Sequence, residues 1–148
     1  MDAIMKLKSA HSKNLEFTGV FENFIHEVEK TELFRDHFGI EFTKNPSSLE
    51  FSFLNRDFRF DYSFIVDSQT RYWGRLNVKY INKSAYWVCP ISDTTEVVYK
   101  TYFFDKFGNT KRSLEEMSSP LSISIEGSIK DFVVEILHEL LNSDYFTD

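Results

Sequence analysis

Phe58-Arg59-Phe60-Asp61-Tyr62-Ser63-Phe64 alternates an aromatic with a polar residue at every step. A period of two puts the four rings on one side of an extended chain and Arg59, Asp61 and Ser63 on the other. That is the pattern of a β-strand with one buried and one wet face. Upstream, residues 49–54 set Leu49, Phe51 and Phe53 on one side, Asn55-Arg56-Asp57 is expected to turn the chain, and Ile40-Glu41-Phe42 is a short candidate strand. Downstream, residues 72–81 alternate with Tyr72, Leu76, Val78 and Tyr80 on one face, and residues 86–91, 97–104 and 121–125 read as further strands. Asn82-Lys83 has the position of a two-residue hairpin turn. Pro90 cannot donate to a ladder and marks an edge or a bulge. Together these stretches predict an antiparallel sheet of five to six strands in meander order, with a core rich in Phe and Tyr.

Helical spacing flanks the sheet. Phe21, Phe24, Ile25 and Val28 fall on one face of a helix, with Glu22, Glu27 and Glu29 elsewhere on its surface; Thr18 or Gly19 precedes it, and about three turns are expected. Thr31 is placed to cap a second short helix carrying Phe34 and Phe38 and ended by Gly39, unless one longer bent helix covers both. Ser128 and Asp131 have the spacing of a capping box. They open a long C-terminal amphipathic helix with Ile129, Phe132, Val133, Ile136, Leu137, Leu140 and Leu141 on its apolar stripe. Residues 1–14 read as a polar tail. The expected class is α+β, a single domain over 15–148 with the C-terminal helix packed on the sheet.

In element order this resembles the helix-grip (START-like) arrangement, in which a curved sheet wraps a C-terminal helix. The resemblance implies a cavity for a hydrophobic ligand but carries no motif and assigns no residue. Type III secretion chaperones are similar in being small, acidic and α+β. They place a helix between two groups of strands, whereas residues 82–104 here read as strand.

Sixteen Phe and seven Tyr against five Gly and three Pro describe a chain with a compact core and short connections. Cys89 is the single cysteine, so no internal disulfide forms and a reducing compartment is expected. The first residues lack the apolar segment of a signal peptide, and no run reaches the roughly 18 apolar residues of a membrane span. A cytoplasmic protein without membrane contact follows as the expectation. The net charge of −6 is uneven. Residues 1–14 and 42–125 are slightly basic, whereas 15–41 hold seven acids against two bases and 126–148 hold six acids against one base. Such a balance disfavours non-specific binding to nucleic acid and suits a cationic partner.

Catalytic and cofactor patterns are incomplete. His26-Glu27 and His138-Glu139 begin a zinc-protease pattern, but Lys30 and Asn142 stand where the second histidine is needed. Cys89 lies between Val88 and Pro90 with no adjacent base. Asp57, Asp61 and Asp67 suggest a nuclease core until Asn77-Val78-Lys79, where a neutral amide replaces the second metal-binding carboxylate. Gly74, Gly108 and Gly127 are isolated, so no phosphate loop forms, and no nucleophile elbow is present. No catalytic residue, cofactor or metal is therefore assigned.

Two surfaces remain. Opposite the Tyr72/Leu76/Val78 face lie Arg71, Trp73, Arg75, Asn77 and Lys79, joined by Arg59 from the preceding strand and, through the expected hairpin that sets Lys79 opposite Tyr86, by Tyr86. Arg, Trp and Tyr are the residue types enriched at binding hot spots; the same set suits stacking on single-stranded nucleic acid. The acidic helix offers Glu22, Glu27, Glu29, Glu32 and Asp36 to a basic partner. The expected function is a non-enzymatic protein-binding domain of the small acidic inhibitor, immunity or adaptor type. The alternatives are a hydrophobic-ligand carrier and a single-strand binder.

Overall fold

The computed structural model describes residues 2–82, 95–114 and 121–146. Helix α1 spans Ala3–Lys30, so it covers nearly all of the stretch expected to be a polar tail. Asp2 caps it, its carboxylate accepting from the Met5 amide at 2.9 Å. Ala, Met, Lys and Leu are strong helix formers, and the polarity of residues 2–9 reflects exposure on every side rather than a lack of helix. Further on, Phe17, Phe21, Phe24, Ile25 and Val28 form the buried stripe. Thr31 ends the helix, its hydroxyl donating to the Glu27 carbonyl at 2.7 Å. The expected second short helix is a single π turn, Leu33–His37, preceded by Glu32 rather than Thr31 and burying Phe34 but not Phe38. The Ile40 amide closes it on the Phe34 carbonyl at 3.0 Å, and Gly39 takes the left-handed conformation (φ +65°) that releases the chain.

Six antiparallel strands follow in chain order, β1 (Glu41–Asn45), β2 (Ser48–Phe53), β3 (Arg56–Val66), β4 (Tyr72–Asn82), β5 (Thr95–Phe104) and β6 (Thr110–Lys111). Helix α2 (Glu126–Leu141) completes the described chain. The expected alternation holds through the centre of the sheet. Leu49 pairs with Phe60 and Phe51 with Phe58, Phe60 with Val78 and Tyr62 with Leu76, and these inward residues join α1 and α2 in one core. Phe24 sits where the layers meet, 5.6 Å from the Phe60 ring and 5.9 Å from Phe132 of α2. The interior between sheet and helices is filled with rings. Its helical side is shared between a 28-residue α1 and a 16-residue α2, unlike a sheet gripping one long C-terminal helix.

Other expectations shift locally. The β2–β3 turn is Leu54-Asn55, both at positive φ (51° and 64°), as a type I′ hairpin requires. Residues 121–125 contribute one isolated bridge, Asn109 to Ser122, instead of a strand. Helix α2 starts two residues before Ser128, with Ile125 at its N-cap and no side-chain cap. The Ser128 hydroxyl accepts from the Ser122 amide at 2.5 Å instead, and that bond holds the bridge against the helix. The neighbours of Lys79 are Arg59 on β3 and Val98 on β5; its expected partner Tyr86 lies outside the described residues. The strand expected at 86–91, with Tyr86, Cys89 and Pro90, lies outside the described residues.

The chain after α2 folds back beneath the sheet. Tyr145 stacks on Tyr80 at 4.3 Å, and Phe146 lies 5.8 Å from Phe53. Arg56 donates to the Tyr145 carbonyl at 3.3 Å. Ion pairs tie α2 to the far side of the sheet, Lys100 to Glu139, and Arg112 to Glu135 at 2.9 Å.

Candidate functional site

The pleat sends Glu50, Arg59, Asp61, Arg75, Asn77, Lys79 and Glu96 to the sheet face opposite the core. Cross-strand neighbours there have short Cβ separations, and the charges resolve into one network. Arg59 reaches Glu96 at 2.6 Å, Asp61 at 3.5 Å and Glu50 at 3.8 Å. Lys79 reaches Asp61 at 2.8 Å and Glu96 at 3.7 Å. Asn77 donates to Asp61 at 3.1 Å and accepts from Thr101 at 3.0 Å, and Arg75 donates to the Ser63 hydroxyl at 2.8 Å. Burial lowers the Arg59 pKa, but the hydrogen bond and charge of Glu96, with Asp61 and Glu50, outweigh it and raise the value overall. Arg59, Arg75 and Lys79 against Glu50, Asp61 and Glu96 make three cations facing three carboxylates, which leaves no net positive charge for phosphates.

Trp73, expected as an exposed anchor, is 9% exposed. It is on the anticipated face but covered. Its indole donates to Asp67 at 3.0 Å, the Lys111 ammonium from β6 lies 4.7 Å from its ring centre, and the Arg71 guanidinium lies at 5.8 Å. Asp67 organises this corner, its carboxylate also accepting from the Gln69 amide and from the Arg71 amide and side chain at 2.8–2.9 Å. Desolvation pushes its pKa up, but these hydrogen bonds prevail and hold it down at about 2. A carboxylate depressed below its unfolded value of about 3.9 stabilises fully above that value and loses the contribution as pH falls through the folded one. Asp67→Asn is therefore expected to lower Tm at pH 7 and to flatten the decline in stability between pH 4 and pH 2. Thermal melts followed by tryptophan fluorescence check this, and parallel wild-type and variant curves would contradict it.

The acidic candidates do not form one patch. Glu22 is exposed on α1 beside a depression shared with Lys44 and Pro46. Glu27 is half-buried and pairs with Lys30 at 3.2 Å, and Glu29 is half-buried. Glu32 and Asp36 are exposed at the π turn, Asp36 within 3.8 Å of Arg35.

That turn borders an apolar cleft of about 480 Å³. His37 and Phe38 line it from the π turn, Phe53 and Leu54 from the β2–β3 hairpin, and Val134, Leu137, His138 and Leu141 from α2. A second depression shares Phe38 and Leu54 and carries the line on to Glu41. Leu54 is 52% exposed and Leu141 45% exposed. Leu54 also holds a left-handed backbone, which costs a side-chain-bearing residue about 1 kcal/mol. The sequence signal for this turn was available. Placing it at Leu54-Asn55 keeps Phe53 and Phe58 both inward, as a two-residue loop between alternating strands requires. The cleft was not legible, since it draws on three elements up to 104 positions apart, from His37 to Leu141.

Among the described residues no three His, Cys, Asp or Glu side chains come together as metal ligands, and no helix is long and apolar enough to cross a membrane. Comparison of the chain with protein-family models, with curated proteins and with solved structures found no match.

Proposed function

We propose that the protein is a non-enzymatic binding domain of the inhibitor or adaptor kind, which holds an apolar segment of a basic protein partner in the cleft between the π turn, the β2–β3 hairpin and α2. The observation that carries this reading is Leu54. A hairpin that favours Asn-Gly instead keeps a leucine in a left-handed conformation and half in solvent, at the lip of an apolar groove. Strain of that kind persists where a side chain has a use. Glu41 lines the neighbouring depression that shares Phe38 and Leu54, and the exposed Asp36 precedes the lining residue His37 in the chain; these carboxylates favour a partner segment carrying Lys or Arg beside its apolar anchors. Encounter with such a partner slows as salt screens these charges.

Leu54→Gly separates stability from binding. Glycine accepts the turn conformation without a Cβ penalty, so the variant is expected to gain up to about 1 kcal/mol of stability while capturing less partner than wild type. Urea denaturation beside affinity capture from the native host checks both. A less stable variant, or one that captures partner as well as wild type, contradicts the reading.

A second reading takes the same cleft as a site for a small hydrophobic ligand, since about 480 Å³ lies within the usual range for such pockets. Native mass spectrometry that finds a co-purified ligand, displaced by Leu141→Glu, selects this reading over the first.

A further inference from the structure

One exposed stripe recurs along α1 every three to four residues: Ile4, Lys8, His11, Leu15, Gly19 and Glu22, all open to solvent. Phe17, Phe21, Phe24 and Val28 face the sheet; the stripe lies round the helix from them, with Glu22 at its end beside the β1–β2 turn. Three of its features have no use within a single subunit. Ile4 is 65% exposed and Leu15 is 59% exposed, an apolar pair on the same side of the helix. Gly19 stands in the helix interior, where glycine is the poorest former after proline, yet a Cβ there would meet nothing within 4 Å. The charges also run against the helix dipole. Lys6, Lys8 and Lys13 lie in the first half and Glu22, Glu27 and Glu29 in the second, the reverse of what stabilises an isolated helix; Lys13 is paired with Glu16 and Glu27 with Lys30, which leaves Lys8 and Glu22 as the opposite charges on the stripe.

We propose that α1 is a dimerisation helix, pairing antiparallel with α1 of a second copy of this chain about a two-fold axis at Leu15. This arrangement uses Leu15, Gly19 and the opposite charges of the stripe. Leu15 meets its symmetry mate, and His11 lies over the bare backbone at Gly19 of the second copy. Lys8 then faces Glu22 of the second copy, and symmetry makes the pair twice. Neither residue has an ion pair among the described residues. The cleft lies elsewhere, and the inference does not depend on its use.

Sedimentation equilibrium of the full chain tests this by charge exchange. Wild type is expected to form a reversible dimer that weakens with salt. Lys8→Glu and Glu22→Lys are each expected to weaken it by about tenfold or more, and the two together to restore it to within about threefold of wild type. Leu15→Glu is expected to be monomeric with an unchanged circular dichroism spectrum. The register is fixed separately by Leu15→Cys in a Cys89→Ser background, where oxidation is expected to join the two copies. A wild type that stays monomeric at every concentration overturns the proposal, as does a dimer indifferent to these charges. Failure of the Leu15→Cys disulfide overturns the antiparallel register.

Discussion

Phe24→Ala is expected to cost about 4 kcal/mol, the range for truncating a fully buried phenylalanine. The ring is fully buried and lies at the meeting point of α1, β3 and α2, within 6.2 Å of Phe21, Phe60 and Phe132. Its neighbours belong to three different elements, so no single segment can relax into the cavity. For a domain of this length the Tm should fall by roughly 8–16 °C. Phe107, which is exposed, provides the contrast, and Phe107→Ala should stay within about 0.5 kcal/mol of wild type. Urea denaturation followed by circular dichroism measures both. A Phe24→Ala loss below about 1 kcal/mol would mean that α1 does not pack as described.

Gly74→Ala should be nearly as damaging, at about 3 kcal/mol, the upper range for overpacking. Gly74 pairs with Phe104 across the β4–β5 ladder, and the Phe104 ring lies over its Cα, so an added Cβ would meet ring carbons at 2.2–2.7 Å. Phe104 is itself fully buried and packs edge-on against Phe17 of α1 at 6.0 Å, which leaves the ring nowhere to swing. The cause can be isolated by a double-mutant cycle. Phe104→Leu removes the clashing edge, so the pair Gly74→Ala with Phe104→Leu should lose less than the two single losses added together. Strict additivity would place the origin of the damage elsewhere.

How much of this was legible in the sequence depends on the range of the interaction concerned. Period-two alternation is local, and it placed Phe51, Phe58, Phe60, Leu76 and Val78 on the buried face, where they lie. The state of the opposite face is not local. Trp73 is covered because Lys111, 38 positions later, crosses it from β6. Arg59 is neutralised because a register running through three strands brings Glu96 within 2.6 Å. Alternation says which side a residue is on but not what lies over it, so a face rich in Arg and Trp looked open when its groups were already engaged. The start of α1 was missed for a different reason. A polar segment without an inward stripe gives no helical period, yet its residues favour helix and Asp2 caps it. The fold-back of Tyr145 and Phe146 onto Tyr80 and Phe53 likewise follows from tertiary packing and has no pattern in the sequence.

The central claim is that recognition runs through the cleft at Leu54 and Leu141, while Arg59 and Lys79 of the sheet face are spent on its own carboxylates. A photoreactive phenylalanine analogue placed at Leu141 in one sample and at Ser63 on the sheet face in another, irradiated in extract of the native host, tests it directly. The account predicts a discrete protein adduct from position 141 and none from position 63. An adduct from position 63 alone, or from neither position, would contradict it.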